Sequence, residues 1–248
     1  MKNLIFVAKE TGLECLKFHL EKFNNDENCI VVCDPDKDKI IGYLNNQNLP
    51  YQDVINFSTT ELEGKKFDWL LNLWGGVIFK KEHLILANHS LNIHPSYLPH
   101  GRGRDPVVWS IRHEHPAGVT LHEINEQVDE GDIWYQEEVP YTLPTTGNEL
   151  YQRVVSACIR VFMENWPQIR SLQREKMPQT SCGMLTKKRK DLLEDKIINF
   201  DNLNSNQREI LLKILAHDFG KDYSAIIEIN GSQYQTSLKL EKIEDNNI

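Results

Sequence analysis

The sequence predicts an α/β protein with a Rossmann-like, mostly parallel sheet, followed by a small C-terminal region of one helix and a β-hairpin. Apolar segments at residues 3–8 and 29–33 flank a stretch with helical periodicity at residues 11–23. A strand, a helix and a strand at this spacing indicate parallel pairing through a right-handed crossover. The apolar segments lack strict alternation, which is typical of strands that helices cover on both faces.

The middle of the chain contributes the remaining strands of this sheet. Residues 36–66 are polar and predict only a short strand near 51–55. The elements predicted next are a buried strand at 67–73, a short helix at 80–87, a strand ending at His94, a helix at 105–113, strands at 118–124 and 133–139, and a helix at 148–166. Asp105 is expected to cap its helix and Pro167 to end the last one.

The sequence changes character after the long helix, so we predict a main domain at residues 1–175 and a small C-terminal region at 176–248. Residues 173–195 predict a linker over the surface, and the basic run at 187–190 predicts a solvated patch. The C-terminal elements are a helix at 205–217 and a hairpin of residues 223–229 and 233–240, joined at Asn230-Gly231.

Composition and charge exclude several kinds of partner. The 248 residues carry a formal net charge of −8, which argues against nucleic acid because phosphate contacts need a basic surface. No apolar run reaches the roughly 18 residues that span a bilayer, so no membrane contact is expected. The N-terminal apolar segment lacks a cleavage site and predicts a first strand.

Cysteines and histidines give no sign of a metal site. The odd, scattered cysteines predict reduced thiols in a cytoplasmic protein: Cys15, Cys29, Cys33, Cys158 and Cys182. Cys29 and Cys33 bound an apolar strand, which favours a core role. His113 and His115 diverge at a spacing of two residues on a helix. The first strand-to-helix turn has Gly12 but no G-x-G-x-x-G, so a dinucleotide site is not expected.

The chemistry of the chain centres on a strand end. Asn92 and His94 alternate with Leu91 and Ile93, which places the amide and the imidazole on one face of a strand that Pro95 ends. Ligands of open α/β sheets bind at the carboxyl ends of the strands. Asp129 lies in a later loop that the topology brings to the same edge, where its carboxylate should raise the pKa of His94.

Four short motifs, in order, resemble the formyltransferases that use 10-formyltetrahydrofolate. They are Asn92-x-His94-Pro95-Ser96, Leu98-Pro99, Gly118-Val119-Thr120-x-His122 and Val128-Asp129-x-Gly131-Asp132-Ile133. The stretch Tyr97-Leu98-Pro99-x-x-Arg102-Gly103-x-x-x-Pro106-x-x-Trp109 is most similar to the sugar N-formyltransferases. The resemblance runs from about residue 67 to about residue 167.

The resemblance implies the roles of particular residues within the main domain. It makes Asn92, His94 and Asp129 the catalytic set, with 10-formyltetrahydrofolate as co-substrate and no metal. It places the folate against Gly75, Gly76, Val77, Ile78, Gln127 and Val128. It places the acceptor against Tyr97, His100, Arg102, Gly103, Arg104 and Trp109, although His100 stands where sugar enzymes often have an aromatic residue.

Alternatives remain open from the residues themselves. Gly75-Gly76 can be a simple tight turn, Trp109 can be a core residue, and the 100–104 loop can be a flexible surface segment or a cradle for a phosphate or carboxylate.

The acceptor that the resemblance favours is a nucleotide-linked amino sugar, above all dTDP-4-amino-4,6-dideoxyglucose. Other amines stay open, namely a dTDP-3-amino sugar, a UDP-amino sugar or glycinamide ribonucleotide, and so does hydrolysis of formyltetrahydrofolate. The resemblance implies a cytoplasmic enzyme of O-antigen and lipopolysaccharide biosynthesis. Related sugar enzymes look like dimers. Because a lone hairpin is marginally stable, we predict a homodimer joined through the C-terminal region.

Overall fold

A seven-stranded, mostly parallel sheet forms the centre of the computed structural model, which describes residues 1–62, 64–180, 185–199, 207–229 and 231–240. The strands are β1 Lys2–Val7, β2 Glu27–Val32, β3 Gln52–Asp53, β4 Phe67–Leu73, β5 Ala87–His94, β6 Gly118–His122 and β7 Ile133–Glu138, in the spatial order β3-β2-β1-β4-β5-β6-β7. The first five pair in parallel, and β6 and β7 add antiparallel strands at one edge. The predicted fold class is confirmed.

Five helices in the described part of the chain flank this sheet, and most of them pack on one face, while one short helix and loop residues cover the opposite face. They are α1 Lys9–Lys22, α2 Lys37–Asn46, α3 Lys81–Leu84, α4 Pro106–His113 and α5 Gly147–Arg170. Alternate residues of the strands belong to two apolar clusters, so that Ile5 and Leu71 pack with α1 and α5 while Leu4 and Leu70 pack on the opposite side. Fully burying each such side chain contributes about 1.5–3 kcal/mol, which explains why these strands lack a polar face.

The C-terminal region packs on the main domain through its apolar residues. Its elements are α6 Arg189–Asp195, β8 Ile197–Asn199, α7 Gln207–Ala216, β9 Ile226–Ile229 and β10 Ser232–Gln235. Leu192 and Leu215 are buried in the same cluster as the α5 face of the sheet. The two parts of the chain thus share one apolar cluster. The domain boundary at residue 175 stays a prediction.

The predicted hairpin gains a third strand that the sequence did not indicate. β9 and β10 pair antiparallel, and β8 pairs in parallel with β9. Of the predicted turn, Gly231 has a left-handed φ of 74°, while Asn230 lies outside the described residues. β8 has only three residues after a short helix, which is too little to produce a period-2 pattern.

Two sequence expectations about helices, for residues 36–66 and for Pro167, were wrong. The segment predicted to be mostly irregular at 36–66 contains α2, which buries only Ile40 and Leu44 and so gives a weak apolar period. Pro167 lies inside α5, which continues to Arg170 because Ile169 is fully buried and the Arg170 guanidinium pairs with Asp26 at 2.6 Å. These contacts offset the backbone hydrogen bond that proline cannot donate.

Asp105 occupies the N-cap position of α4 but does not cap it with its side chain. Its φ of 56° is left-handed, and its carboxylate accepts hydrogen bonds from Arg189 at 3.2 and 3.3 Å. The segment 173–195, predicted as a linker over the surface, contains α6 and makes specific contacts in its described part. Met177 exchanges backbone hydrogen bonds with Ile133 at 2.7 and 2.8 Å, and Lys187 places its ammonium 4.2 Å from the centre of the Trp109 ring.

Four of the five cysteines lie in the described part of the chain, all of them as free thiols. Cys15, Cys29, Cys33 and Cys158 are free thiols, and burial raises the pKa of Cys33 to about 12. Cys182 lies outside the described residues. No helix within those residues has the length and apolar character needed to cross a bilayer.

A buried histidine joins α1 to α5 and makes the fold sensitive to acid. The His19 side chain is fully buried, and its Nδ1 accepts a hydrogen bond from the Trp166 indole at 3.0 Å. Its Nε2 lies 3.1 Å from Asn28 Oδ1, to which it donates. Burial, only partly opposed by the hydrogen bond to Asn28 and by the Asp26 carboxylate, lowers the pKa of His19 to about 4.

The free energy of unfolding should therefore fall as the pH drops from about 6.5 toward 4. The unfolded chain binds this proton near the ordinary histidine pKa, whereas the folded chain resists it, so protonation favours unfolding in this window. Urea unfolding at a series of pH values measures the effect. His19→Gln should flatten the dependence between these limits, and an unchanged slope in that variant would contradict the assignment.

Candidate functional site

The end of β5 positions the first two residues of the site. Asn92 and His94 lie on one face of β5, and His94 is the last residue of the strand, as the alternation and Pro95 predicted. In the antiparallel pairing with β6, Asn92 is the partner of His122. Because paired residues project to the same face, His122 is brought beside Asn92.

Asp129 reaches this strand end from the loop between β6 and β7. Its backbone is left-handed, with a φ of 55°. One carboxylate oxygen, Oδ2, accepts the backbone N–H of Gly103 at 2.8 Å and lies 3.6 Å from His94 Nδ1. The other oxygen, Oδ1, lies 3.4 Å from Asn92 Nδ2 and 3.5 Å from His122 Nε2. The structure thus brings the three predicted catalytic side chains together, and we call Asn92, His94 and Asp129 the triad.

Two further residues orient the amide of Asn92. Asn72, at the end of β4, donates its Nδ2–H both to Gly75 O at 3.1 Å and to Asn92 Oδ1 at 2.8 Å. His122 donates Nδ1–H to the carbonyl of Glu123 at 2.7 Å, which leaves its Nε2 as an acceptor 2.9 Å from Asn92 Nδ2. With its oxygen occupied by Asn72, Asn92 directs its NH₂ group toward His122 and Asp129.

The two ring nitrogens of His94 both face oxygen atoms. Nε2 lies 2.9 Å from the carbonyl of Gly101, to which it donates, and Nδ1 faces Asp129. Burial nevertheless lowers the pKa of His94 below its ordinary value, although the Asp129 carboxylate acts in the opposite direction. The carboxylate acts in the predicted direction, but burial of the ring, which is only 6% exposed, outweighs it.

The carboxyl group of Asp129 behaves differently from the imidazole. Burial opposes its charge, but His94, His122 and the Gly103 N–H outweigh that effect and hold the pKa of Asp129 well below its usual range. The site therefore keeps a permanent carboxylate next to a histidine that resists protonation. This combination can accept a proton at the imidazole and stabilise the resulting cation.

The residues predicted to contact folate form the exposed margin of the site. Asn72 holds the Gly75 carbonyl, and a Cβ added at Gly75 would lie 2.5 Å from Asn72 Oδ1, so this turn is packed directly against the residue that orients Asn92. Ile78 and Val128 are apolar yet 63% and 37% exposed. Gly76 and Gln127 are exposed and Val77 is half-buried. Their contact with folate stays a prediction.

The residues predicted to bind the acceptor divide into two groups. Arg102 is 8% exposed, pairs with Glu130 at 3.0 Å and donates to Gln179 at 2.8 Å. Trp109 is 4% exposed and donates to the carbonyl of Arg104, so it has the core role that the sequence left open. Their side chains hold the loop after β5 in place.

The other members of that set lie nearer the surface. Tyr97 and His100 are half-buried, and the His100 ring lies 4.9 Å from the ring of His115. Gly103, with a φ of 88°, supplies the N–H that holds Asp129. Arg104 is exposed. Their contact with an acceptor stays a prediction.

Sequence reasoning missed several residues that contact the triad. Asn72 is the polar residue of the buried run that ends β4, a signal that a search for buried polar groups would find. His122 was part of a motif but was given no role. Gln179 donates to the carbonyls of Asp129 and Gly131 at 2.9 and 2.8 Å from a segment predicted to be a linker, and no local pattern marks it.

The rings of His113, the last residue of α4, and of His115 lie 5.5 Å apart, so the two side chains do not diverge as the sequence predicted. His113 stacks on Trp109 with ring centres 5.8 Å apart. Within the described ranges, no cluster of three or more histidine, cysteine or acidic side chains is arranged to hold a metal ion.

Part of the chain is similar to proteins of a known family. Residues 71–165 match the formyl transferase family. Over 106 residues the chain is 32% identical to a dTDP-4-amino-4,6-dideoxyglucose formyltransferase of Mycobacterium bovis, covering 42% of this chain and 45% of that protein. Over 154 residues it is 27% identical to the methionyl-tRNA formyltransferase of Lactobacillus johnsonii, covering 62% of this chain and 45% of that protein. The chain thus spans about half the length of the curated relatives it matches.

Solved structures are similar over nearly the whole chain. A 4-N formyltransferase from Francisella tularensis superposes with a TM-score of 0.84 at 22% identity, covering 98% of both chains. An N-formyltransferase from Helicobacter canadensis, solved with folinic acid and dTDP-3-aminofucose, superposes with a TM-score of 0.75 at 23% identity, covering 93% of this chain and 85% of that one. At these identities the likeness shows the fold. The predicted resemblance to formyltransferases is confirmed.

The geometry predicts how the histidine of the triad titrates. We expect the midpoint of His94 to lie below 6.5, and Asp129→Asn to lower it further because the carboxylate is the charge that raises it. Nuclear magnetic resonance titration of labelled histidine rings, assigned with His94→Gln, measures both values. Glu130→Gln, next to Asp129 but paired with Arg102, is the control and should leave the midpoint unchanged. A midpoint above 6.5, or a rise on Asp129→Asn, would contradict the electrostatic assignment.

Proposed function

We propose that this chain, whose residues 71–165 are a formyl transferase domain, transfers the formyl group of 10-formyltetrahydrofolate to the amine of a nucleotide-linked amino sugar. The observation that carries the proposal is the triad at the carboxyl edge of the sheet, with the Asn92 amide fixed by Asn72 and with Asp129 3.6 Å from His94. Similarity to a Helicobacter canadensis enzyme solved with folinic acid and dTDP-3-aminofucose supports the two substrate classes.

The net charge of the chain and the names of its sequence relatives support the proposed acceptor. The net charge of −8 disfavours a tRNA acceptor, although part of the chain is similar to a methionyl-tRNA formyltransferase. The mycobacterial relative supports dTDP-4-amino-4,6-dideoxyglucose as the specific acceptor, because its name gives that sugar. We propose this sugar first and a 3-amino sugar second.

Formyl transfer to an amine requires stabilisation of a tetrahedral oxyanion. N–H donors placed in advance where that charge develops contribute about 3 kcal/mol each. Asn92 Nδ2 has one hydrogen directed to His122 at 2.9 Å and another weakly engaged with Asp129 at 3.4 Å. The weakly engaged hydrogen is the one that an oxyanion can take at little cost.

The amine must also lose a proton as the new C–N bond forms and the bond to the folate nitrogen breaks. His94 is neutral in the free protein because burial lowers its pKa, so it can accept that proton. The resulting imidazolium lies 2.9 Å from the Gly101 carbonyl and 3.6 Å from the Asp129 carboxylate, and both oxygens stabilise it. Asp129 thereby acts on the reaction through His94.

The predicted folate residues fit a ligand with an apolar ring and polar edges. Ile78 and Val128 offer exposed apolar surface on the two loops that flank the triad. The backbone of Gly75, Gly76, Val77 and Gln127 offers donors and acceptors for a heterocycle. The homodimer, the cytoplasmic location and the role in O-antigen synthesis remain proposals that rest on the sequence resemblance.

The first test is the requirement for an amine. Consumption of 10-formyltetrahydrofolate should occur with dTDP-4-amino-4,6-dideoxyglucose and be negligible without an amine, since the amine supplies the nucleophile. Absorbance of the folate product and mass spectrometry of the formylated sugar measure the reaction. dTDP-glucose, which lacks the amine, is the control. Equal folate consumption with and without the amino sugar would indicate a hydrolase instead.

The second test concerns the triad and the residue that orients it. Asn92→Ala, His94→Ala and Asp129→Asn should each lower turnover by roughly 10²-fold or more. Asn72→Ala should lower kcat by about tenfold, because it removes the donor to Asn92 Oδ1 and frees the amide to rotate.

The matched control for that test is Asn165→Ala. Asn165 is as buried as Asn72, at 6% exposure, but donates to the Val161 carbonyl within α5. It should lower the melting temperature without changing kcat. Near-normal turnover of the Asn92 or His94 variant would refute the roles given to the triad.

A further inference from the structure

Two cationic side chains, those of Lys9 and Arg104, lie at the same edge of the sheet as the triad. Lys9 is the first residue of α1, two residues after the end of β1, and has a left-handed φ of 56°. Arg104 follows Gly103, whose N–H holds Asp129, and a Cβ added at Gly76 would lie 3.9 Å from Arg104 Nη1. The Arg104 guanidinium therefore lies over the glycine turn after β4, on the same edge of the sheet as the triad.

Two other cations near this edge are paired with carboxylates. Arg102 pairs with Glu130, and Arg189 pairs with Asp105. Among the described residues, neither the Lys9 ammonium nor the Arg104 guanidinium has a hydrogen bond or an ion pair within 4.0 Å. Arg104 is exposed and Lys9 is partly buried.

Backbone contacts place Lys9 beside the same glycine turn, because the Ala8 N–H donates to the Leu73 carbonyl at 3.1 Å and Val7 pairs with Trp74. Burial and then the Arg104 charge lower the pKa of Lys9, while Asp36 and Asp105 oppose this and Arg189 adds to it. Asp105 is already engaged by Arg189 at 3.2 Å. Like charges held together in a folded protein repel one another, so an anion that bridges them would be bound favourably.

We propose that Lys9 and Arg104 bind the diphosphate of the nucleotide-linked substrate and so hold its sugar amine against the triad. Arginine presents a planar fork to phosphate oxygens and lysine a compact charge, which suits two adjacent phosphates. The start of the 14-residue helix α1, which no side chain caps, adds partial positive charge at the same place. This assignment rests on the proposed function, and it separates the two arginines of the 100–104 loop: Arg104 contacts substrate and Arg102 supports the loop.

The test is binding of free nucleotides to the full chain by isothermal titration calorimetry. Lys9→Asn, chosen because asparagine tolerates a left-handed backbone, and Arg104→Gln should each weaken dTDP binding by about tenfold. Binding of thymidine, which has no phosphate, and of folinic acid should not change. Lys39→Ala, a nearby exposed cation that already pairs with Glu10 at 3.2 Å, is the matched control and should bind dTDP normally.

Measurements of formyl-transfer kinetics distinguish failure of the diphosphate site from failure of the proposed function. With the amino sugar, both variants should raise KM for the nucleotide sugar and leave kcat nearly unchanged, because the lost contacts act equally in the ground and transition states. Unchanged dTDP affinity in both variants, with formyl transfer intact, would overturn the diphosphate site alone. Binding of inorganic pyrophosphate that depends on Lys9 and Arg104, in a protein without formyl transfer to any amino sugar, would support the anion site and overturn the acceptor.

Discussion

The carboxylate of Asp129 is the interaction on which the rest of the site depends. It is almost entirely buried and remains ionised because two histidines and the Gly103 N–H surround it, which together outweigh the cost of removing a charge from water. That one group sets the position of the loop after β5, the environment of His94 and the direction of the Asn92 amide. A buried charge with partners on all sides rigidifies its neighbours, since each of them is costly to displace.

A chain of hydrogen bonds that begins at Asn72 fixes the orientation of the Asn92 amide. Asn72 donates to Asn92, Asn92 directs its NH₂ to His122, and His122 is fixed by the Glu123 carbonyl. Each amide or imidazole has a single arrangement that satisfies its neighbours, so the N–H groups of Asn92 are oriented in advance, as the proposed function requires of an oxyanion donor. Such advance placement is the principal source of electrostatic catalysis.

The start of the C-terminal region supports the site from outside the predicted main domain. Gln179 holds the Asp129 loop through two backbone carbonyls, and Lys187 exchanges backbone hydrogen bonds with Arg102 and Arg104. These contacts explain why Arg102 is buried while Arg104 remains available. The segment that joins the two predicted domains is therefore a structural part of the site, and a main domain cut at residue 175 would lack these supports.

The sequence by itself determined the sheet, the strand that ends at His94 and the order of the motifs, because apolar periodicity and proline act locally along the chain. It also singled out the three side chains that meet at the edge of the sheet. Only the tertiary structure decided that burial favours neutral His94 and that Asn72 donates a hydrogen bond to Asn92. It also decided that Arg102 is paired with Glu130 while Arg104 is exposed, and that α5 continues through Pro167. Each of these depends on burial or on partners that are distant in the chain. Gln179 and Asp129, for example, are 50 residues apart, and no local pattern encodes such a contact.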